Sequence, residues 1–368
     1  MEFAFSAEQE QFRDILARFL KDKSPPRAVR RLMATAEGFD ADVWRQACGE
    51  MGLAGLHLPE AYGGAGYGPV ELGIAMEEQG RTLFCAPFLA SAVMAGYAVL
   101  LAGSEDQRHA LLPGIADGST IATVAICERA GLWSESDITV AATRAGDGWQ
   151  LDGRKRFVVD GQTADQLIVA ARSAAGVSLF IVDARADGVH RSAANVMDPT
   201  RKLADIDFDA APAQLLGIEG QAPLDRIFDA VLVSFANEIV GGAQAMLDSA
   251  VEYTKLRVQF GRTIASFQAI KHRLADLLVD VELAKAAAYQ AAQQLADGDS
   301  ATASASLAKA AASEVYMRAA RECIQLHGGI GFTWENDTHL WFKRAKSSEV
   351  FLGTPGEHRE RMLQAMGV

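Results

Sequence analysis

The feature that most narrows what this chain can fold into is a change of hydrophobic period, made twice. Up to Pro113 apolar residues recur at three- and four-residue intervals, the spacing that lines one face of a helix. From Ser119 the period drops to two and the apolar runs shorten. Residues 120–126, 138–143, 157–159, 166–170 and 177–182 read as strands separated by Gly, Asp and Asn turns, and segments around 206–208 and 214–216 complete the region. After Gly220 the helical spacing resumes and lasts nearly to the end. This order predicts an α+β protein with an N-terminal α-helical domain over 1–117, a small β-barrel or sandwich domain over 118–221, and a C-terminal four-helix bundle over 222–368.

Local signals sharpen the outline. Ser6 is an N-cap ahead of an amphipathic helix marked by Phe12, Ile15, Leu16, Phe19 and Leu20, which Pro25-Pro26 ends. The glycine-rich loop from Leu58 to Gly66 follows no strand and lacks dinucleotide-binding spacing, so it reads as a turn between helices. Leu224, Ile227, Val231, Phe235 and Ile239 mark one long helix, and Leu274, Leu277, Leu278 and Val281 mark the next. From Ala284 to Ala312 the chain is rich in alanine, but Tyr289, Leu295 and Leu307 punctuate it, as expected of closely approaching bundle helices rather than a linker.

A net charge of -12 argues against nucleic-acid binding, which wants a concentrated basic face. It leaves room for a phosphate-bearing ligand held by local arginines. Cys48, Cys85, Cys127 and Cys323 have no metal-ligand spacing and read as reduced residues of a cytoplasmic protein without a metal site. The start, Met-Glu-Phe-Ala-Phe-Ser-Ala-Glu, has neither a basic leader nor a long apolar run, so no membrane association is expected.

Two stretches between helices combine groups that loops rarely combine. Arg257-Val-Gln-Phe-Gly-Arg-Thr-Ile-Ala-Ser-Phe-Gln268 offers an arginine, an amide, an aromatic ring and a glycine within five residues, a set that can grip a phosphate beside a flat ligand. Gln325-Leu-His-Gly-Gly-Ile-Gly ends a helix in bare backbone that can approach a diphosphate closely. Each has a local alternative: Arg257 as a helix C-cap, Gln325 as a last-turn residue, the glycines as a Schellman ending.

With these stretches in view, the chain resembles the acyl-CoA dehydrogenase superfamily over nearly all of its length, and the 58–66 loop and the helical, β, helical order agree. The resemblance implies FAD and an acyl-CoA substrate, with an electron-transferring flavoprotein as acceptor. It also implies assembly as a homodimer, a homotetramer or a heterotetramer with a related chain. It assigns Arg257 to FAD phosphate across a dimer, Phe260 to the adenine side, Gln259 to a polar contact, and Gln325, Gly328 and Gly329 to the diphosphate region. Gln268 and Thr354 complete that cofactor set. In the β domain, Cys127, Phe157 and Val159 fall where relatives line the flavin ring, and they lack the hydroxyl groups that relatives carry there. Ser134 or Ser136 falls near an acyl-CoA contact, although the loop 129–136 matches poorly.

In relatives a carboxylate takes the α-proton while the β-hydride leaves for the flavin, and a base must lie within hydrogen-bond reach of that proton. Most relatives place it in a Tyr-Glu-Gly-Thr motif. The matching residues here are Phe351-Leu352-Gly353-Thr354, so Leu352 stands in the acyl pocket where the glutamate would be. The minority position, on the helix before Arg257, is Val231. Glu238, seven residues on, returns to nearly the same helix face but rises about 10 Å along it. It is a candidate base or a structural carboxylate; Glu335 and Asp229 are weaker candidates. Three readings remain open: a dehydrogenase with a relocated base, acting on a bulky, branched or ring-bearing acyl group; a non-catalytic partner subunit in a heteromeric enzyme; and a flavin enzyme of the same fold with other chemistry.

Overall fold

The computed structural model describes residues 5–129 and 133–368. Helix α1 (Ala7–Lys23) starts where Ser6 and Gln9 exchange both hydrogen bonds of a capping box, and Ser24 ends it before the proline pair. Then come α2 (Pro26–Met33), α3 (Ala41–Gly49), two short 3₁₀ turns (Leu53–Gly55 and Glu60–Tyr62, the second within the glycine-rich loop), and α4 (Pro69–Thr82). A fully buried π-helical segment, Phe88–Ala95, leads into α5 (Gly96–Ala102), and α6 (Glu105–Ala116) carries a second capping box at Ser104 and Gln107.

The strands are β1 (Ala122–Ala125), β2 (Ala141–Ala145), β3 (Gly148–Val159), β4 (Gln166–Ser173), β5 (Gly176–Asp183), β6 (Val189–Ala193) and β7 (Leu203–Leu216). Two expectations change here. The short strand at 157–159 is the end of the long β3, and the segments at 206–208 and 214–216 are one strand, β7. The charged run Arg154 to Arg156 and the irregular register of the β3–β7 pair hide their length from a period-two reading. The sheet runs β1-β4-β2-β3-β7-β5, and pairing of β4 with β5 closes it into a barrel. Leu151, Leu167, Val169, Phe180, Val182 and Ile206 fill its interior.

Helix α7 (Leu224–Leu256) follows, then a minimal hairpin of β8 (Val258–Gln259) and β9 (Arg262–Thr263), α8 (Gln268–Ala296), α9 (Thr302–His327), a 3₁₀ turn at Gly328–Phe332, α10 (Thr338–Val350) and α11 (Pro355–Ala365). Ile227, Val231, Phe235 and Ile239 are buried along α7 as their spacing requires, whereas Leu278 on α8 points outward. Helix α7 is long and apolar enough to cross a membrane, but 94% of its most apolar window is buried, the behaviour of a core helix.

The chain packs as two compact units. One holds residues up to Arg30, 69–84 and 232–368; the other holds 31–68 and 85–231. The first is helical, and its α4 and α7 touch backbone to backbone: a Cβ at Gly80 would lie 1.9 Å from the Glu238 carbonyl oxygen, and one at Gly241 1.9 Å from that of Glu77. Beside this crossing Glu77 accepts from Tyr289 Oη at 2.5 Å and Arg13 Nη2 at 3.1 Å. The second unit holds the barrel with α3, α5 and α6. All four cysteines are free.

Candidate functional site

In the helical unit the two singled-out stretches meet. The Tyr253 ring, one turn before α7 ends, stacks on His327, the last residue of α9, with centroids 4.0 Å apart, and its hydroxyl donates to the His327 carbonyl at 3.3 Å. That contact joins the β8–β9 hairpin to the glycine turn. Phe260 at φ +53° and Gly261 at φ +77° make the hairpin's tip, where left-handed backbone favours glycine. Arg257, Gln259, Gln268 and Gln325 are exposed, and Phe260 presents 90% of its surface to solvent. The Arg257 guanidinium has no hydrogen bond or ion pair among the described residues, and the Gln259 amide spends one N–H on the Val258 carbonyl. Gly328 and Gly329 have no atom within 4 Å of where a Cβ would stand. Arg30 fastens the chain beyond them through Asp337 at 2.7 Å and the carbonyls of Trp334 and Asn336.

These residues suit FAD. A free guanidinium and open glycine backbone match a diphosphate, and an exposed ring matches a flat heterocycle. The Gln325 side chain is exposed, and Gly328 is the C-cap of α9, its N–H donating back to the Ile324 and Gln325 carbonyls.

The turn after α10 is built differently. Leu352 is 2% exposed and adopts φ +59°, Gly353 follows at φ +104°, and the Phe351 ring packs edge-on against Phe235 at 5.6 Å. Lys309 Nζ donates to the Gly353 carbonyl at 3.1 Å, and His358 Nε2 donates to the Leu352 carbonyl at 2.8 Å. Burial pushes the His358 imidazole down to about 4 and the Lys309 ammonium down to about 7, the latter opposed by Glu349 and Glu357. Thr354 is exposed and caps α11, its hydroxyl donating to Glu357 Oε2 at 2.8 Å and accepting from the Glu357 N–H at 3.4 Å.

No carboxylate stands at either expected base position: Leu352 and Val231 are both buried and apolar. Glu238 is buried and accepts from Arg344 Nη1 at 2.8 Å. That ion pair ties α7 to α10 and gives the carboxylate a structural task, the alternative to catalysis weighed for it. Asp229 is buried and Glu335 exposed.

In the barrel unit Cys127 follows β1, and its carbonyl accepts from Arg156 N at 2.8 Å. Burial raises its thiol to about 11, so it is a neutral contact. Phe157 is half-buried at φ +56°, while Val159 is buried and its carbonyl accepts from Thr123 Oγ1 at 2.6 Å. Lys155, fully buried, donates to the Ile126 carbonyl at 3.0 Å and to Glu128 Oε1 at 2.6 Å. Ser134 and Ser136 share a 2.6 Å hydrogen bond, and Trp133 packs on Phe228 at 5.1 Å. The rest of that loop, 130–132, lies outside the described residues. Sequence reasoning passed over Tyr253, His327, Lys155, Lys309, Arg344 and His358, since a buried lysine or a ring that bridges two loops carries no periodic signal; the His within the glycine run was the one visible hint.

Comparison with known proteins gives the family. Family models of the acyl-CoA dehydrogenase N-terminal, middle and C-terminal domains match residues 6–119, 123–210 and 232–367. The chain is 35% identical over 355 residues to acyl-CoA dehydrogenase IpdE2 of Mycobacterium tuberculosis, covering 96% of each. Among solved structures it is similar to the Tcur3481–Tcur3483 steroid ACAD, with TM-score 0.88 and 30% identity over 98% of each chain. It is also similar to the ChsE4–ChsE5 complex of Mycobacterium tuberculosis, with TM-score 0.90 and 26% identity, covering 100% of this chain and 99% of that one. The chain belongs to the acyl-CoA dehydrogenase family, FAD-dependent oxidoreductases that act on acyl-CoA thioesters.

Proposed function

We propose that this chain is one subunit of a heteromeric acyl-CoA dehydrogenase that desaturates the α,β-bond of a bulky, ring-bearing acyl-CoA, with the catalytic base supplied by a different chain. The observation that carries this reading is the apolar, buried state of both Leu352 and Val231, combined with the engagement of Glu238 by Arg344. The Glu238 carboxylate is engaged in that ion pair, and turning it away toward a substrate would break a buried pair. Support for a mixed assembly comes from two similar solved structures that each name two chains, and support for a ring-bearing substrate from the one described as a steroid ACAD.

In this reading Arg257 neutralises diphosphate charge, Gly328 and Gly329 admit it to backbone, and Phe260 packs beside the adenine. Gln259, Gln268 and Gln325 add polar contacts. Cys127, Phe157 and Val159 of the barrel unit and Thr354 of the helical unit would each contact the cofactor. Ser134 and Leu352 face the acyl-CoA, Leu352 as apolar wall. Bound FAD supplies the acceptor for the electron pair leaving the β-carbon. Electrons then pass to an electron-transferring flavoprotein.

Mixing tests it. Purified alone, the chain should not bleach its flavin with ring-bearing acyl-CoA esters, and bleaching should appear when it is co-purified with a related chain that carries the turn glutamate. Full turnover by the chain alone would remove this reading. In the assembly Glu238→Gln should keep turnover while lowering stability, whereas loss of proton abstraction in that variant would return the base to Glu238 and revive the self-sufficient enzyme.

A further inference from the structure

Among the described residues Lys155 and Lys309 are the lysines with no exposed surface. Burying an ammonium is costly, so a chain that buries one needs it there. Each holds the backbone carbonyl one residue before a proposed cofactor contact. Lys155 reaches the Ile126 carbonyl at 3.0 Å, and Cys127 follows; Lys309 reaches the Gly353 carbonyl at 3.1 Å, and Thr354 follows.

Their surroundings differ in a useful way. Lys155 is compensated by Glu128 Oε1 at 2.6 Å. Lys309 has no carboxylate within ion-pair distance among the described residues; Ser313 Oγ lies at 3.0 Å and the Phe235 ring at 5.7 Å, with the carboxylates of Glu349 and Glu357 farther off. Beside it His358 holds the Leu352 carbonyl. Two successive carbonyls of one turn are thus fixed from inside the bundle, and the first belongs to a leucine in the left-handed region that such side chains rarely adopt. A turn whose only task is to end a helix needs a glycine and no buried charge.

The geometry points to Lys309, with His358, as a positioning residue of the cofactor site. It fixes the Leu352–Gly353 turn so that Thr354 stands in one posture, and Lys155 does the same for Cys127 through Ile126 and Glu128. This rests on the reading above that Cys127 and Thr354 border FAD.

The test strips FAD from the purified chain, titrates it back, and follows thermal unfolding of the apoprotein in parallel. Lys309→Met removes donor and charge at similar volume. With no acid left unpaired, the apoprotein melting temperature should hold or rise, while the FAD dissociation constant rises by about ten-fold or more. A merely structural lysine would not move these two readouts apart. Lys309→Gln, which keeps an amide donor, should recover part of the affinity and serves if the Met variant fails to fold. Because Lys309 acts through Thr354, Thr354→Val combined with Lys309→Met should lose no more affinity than Thr354→Val alone. Wild-type FAD affinity in both Lys309 variants, or losses that add in the double variant, overturns the inference. If Thr354→Val and Arg257→Ala also bind FAD like wild type, the cofactor reading has failed and takes the clamp with it.

Discussion

At the scale of single residues, the buried titratable groups decide how the protein answers pH. Both ring nitrogens of His57 are buried without a hydrogen-bond partner, and burial lowers its imidazole from 6.5 to about 4; His358 is lowered to about 4 as well, chiefly by burial. An imidazole that resists protonation only when folded stabilises the fold fully above about 6.5, and that contribution drains away as pH falls through about 4. At full expression each is worth on the order of 3 kcal/mol. Urea unfolding midpoints should fall between pH 7 and pH 4.5, and His57→Phe should flatten part of the fall; a level profile in the parent chain would contradict this. None of it was visible in the sequence, where His57 is one letter in a glycine-rich turn. Arg257 and the glycines were visible, because an arginine, an amide and glycines crowded into loops give those loops an unusual local composition.

At the scale of elements, the helices owe their positions to close approach. Gly241 faces the Glu77 carbonyl with no room for a methyl group, whereas Gly329 has open space. Gly241→Ala should therefore destabilise by about 2 kcal/mol or more as α4 and α7 are forced apart. Gly329→Ala should leave apoprotein stability within about 0.5 kcal/mol and weaken FAD binding instead. Thermal unfolding and FAD titration of the two variants separate these outcomes, and equal melting temperatures would refute the close crossing. The helices themselves followed from their apolar spacing. Their contact did not, since a glycine inside a helical pattern reads only as a weak helix former. The barrel shows the converse: the alternation marked its strands, but β3 and β7 were cut short where charged residues broke the pattern.

At the scale of the whole molecule, the helical unit exposes Leu256, Phe260, Phe332 and Trp334, each by 66% or more. Surface of this kind marks contact with another chain or ligand. Light scattering on the purified chain should report a dimer or larger, and Phe332→Ser with Trp334→Ser should lower the mass while leaving circular dichroism intact. A monomeric parent chain would show that this surface has another purpose. The proposed heteromeric assembly belongs at this scale too, because in that reading the base comes from a second chain.

The sequence by itself determined the order of helical and β regions, the cap that starts α1, and the unusual composition of the loops at 257–268 and 325–331, since periodicity and capping act within a few residues. Only the tertiary structure decided that Glu238 answers Arg344, 106 residues away, that Tyr253 joins the hairpin to the glycine turn, and that Lys309 holds Gly353. Those pairings are set by which surfaces meet when the core closes, and burial makes a charge's partner a matter of distance in space rather than along the chain.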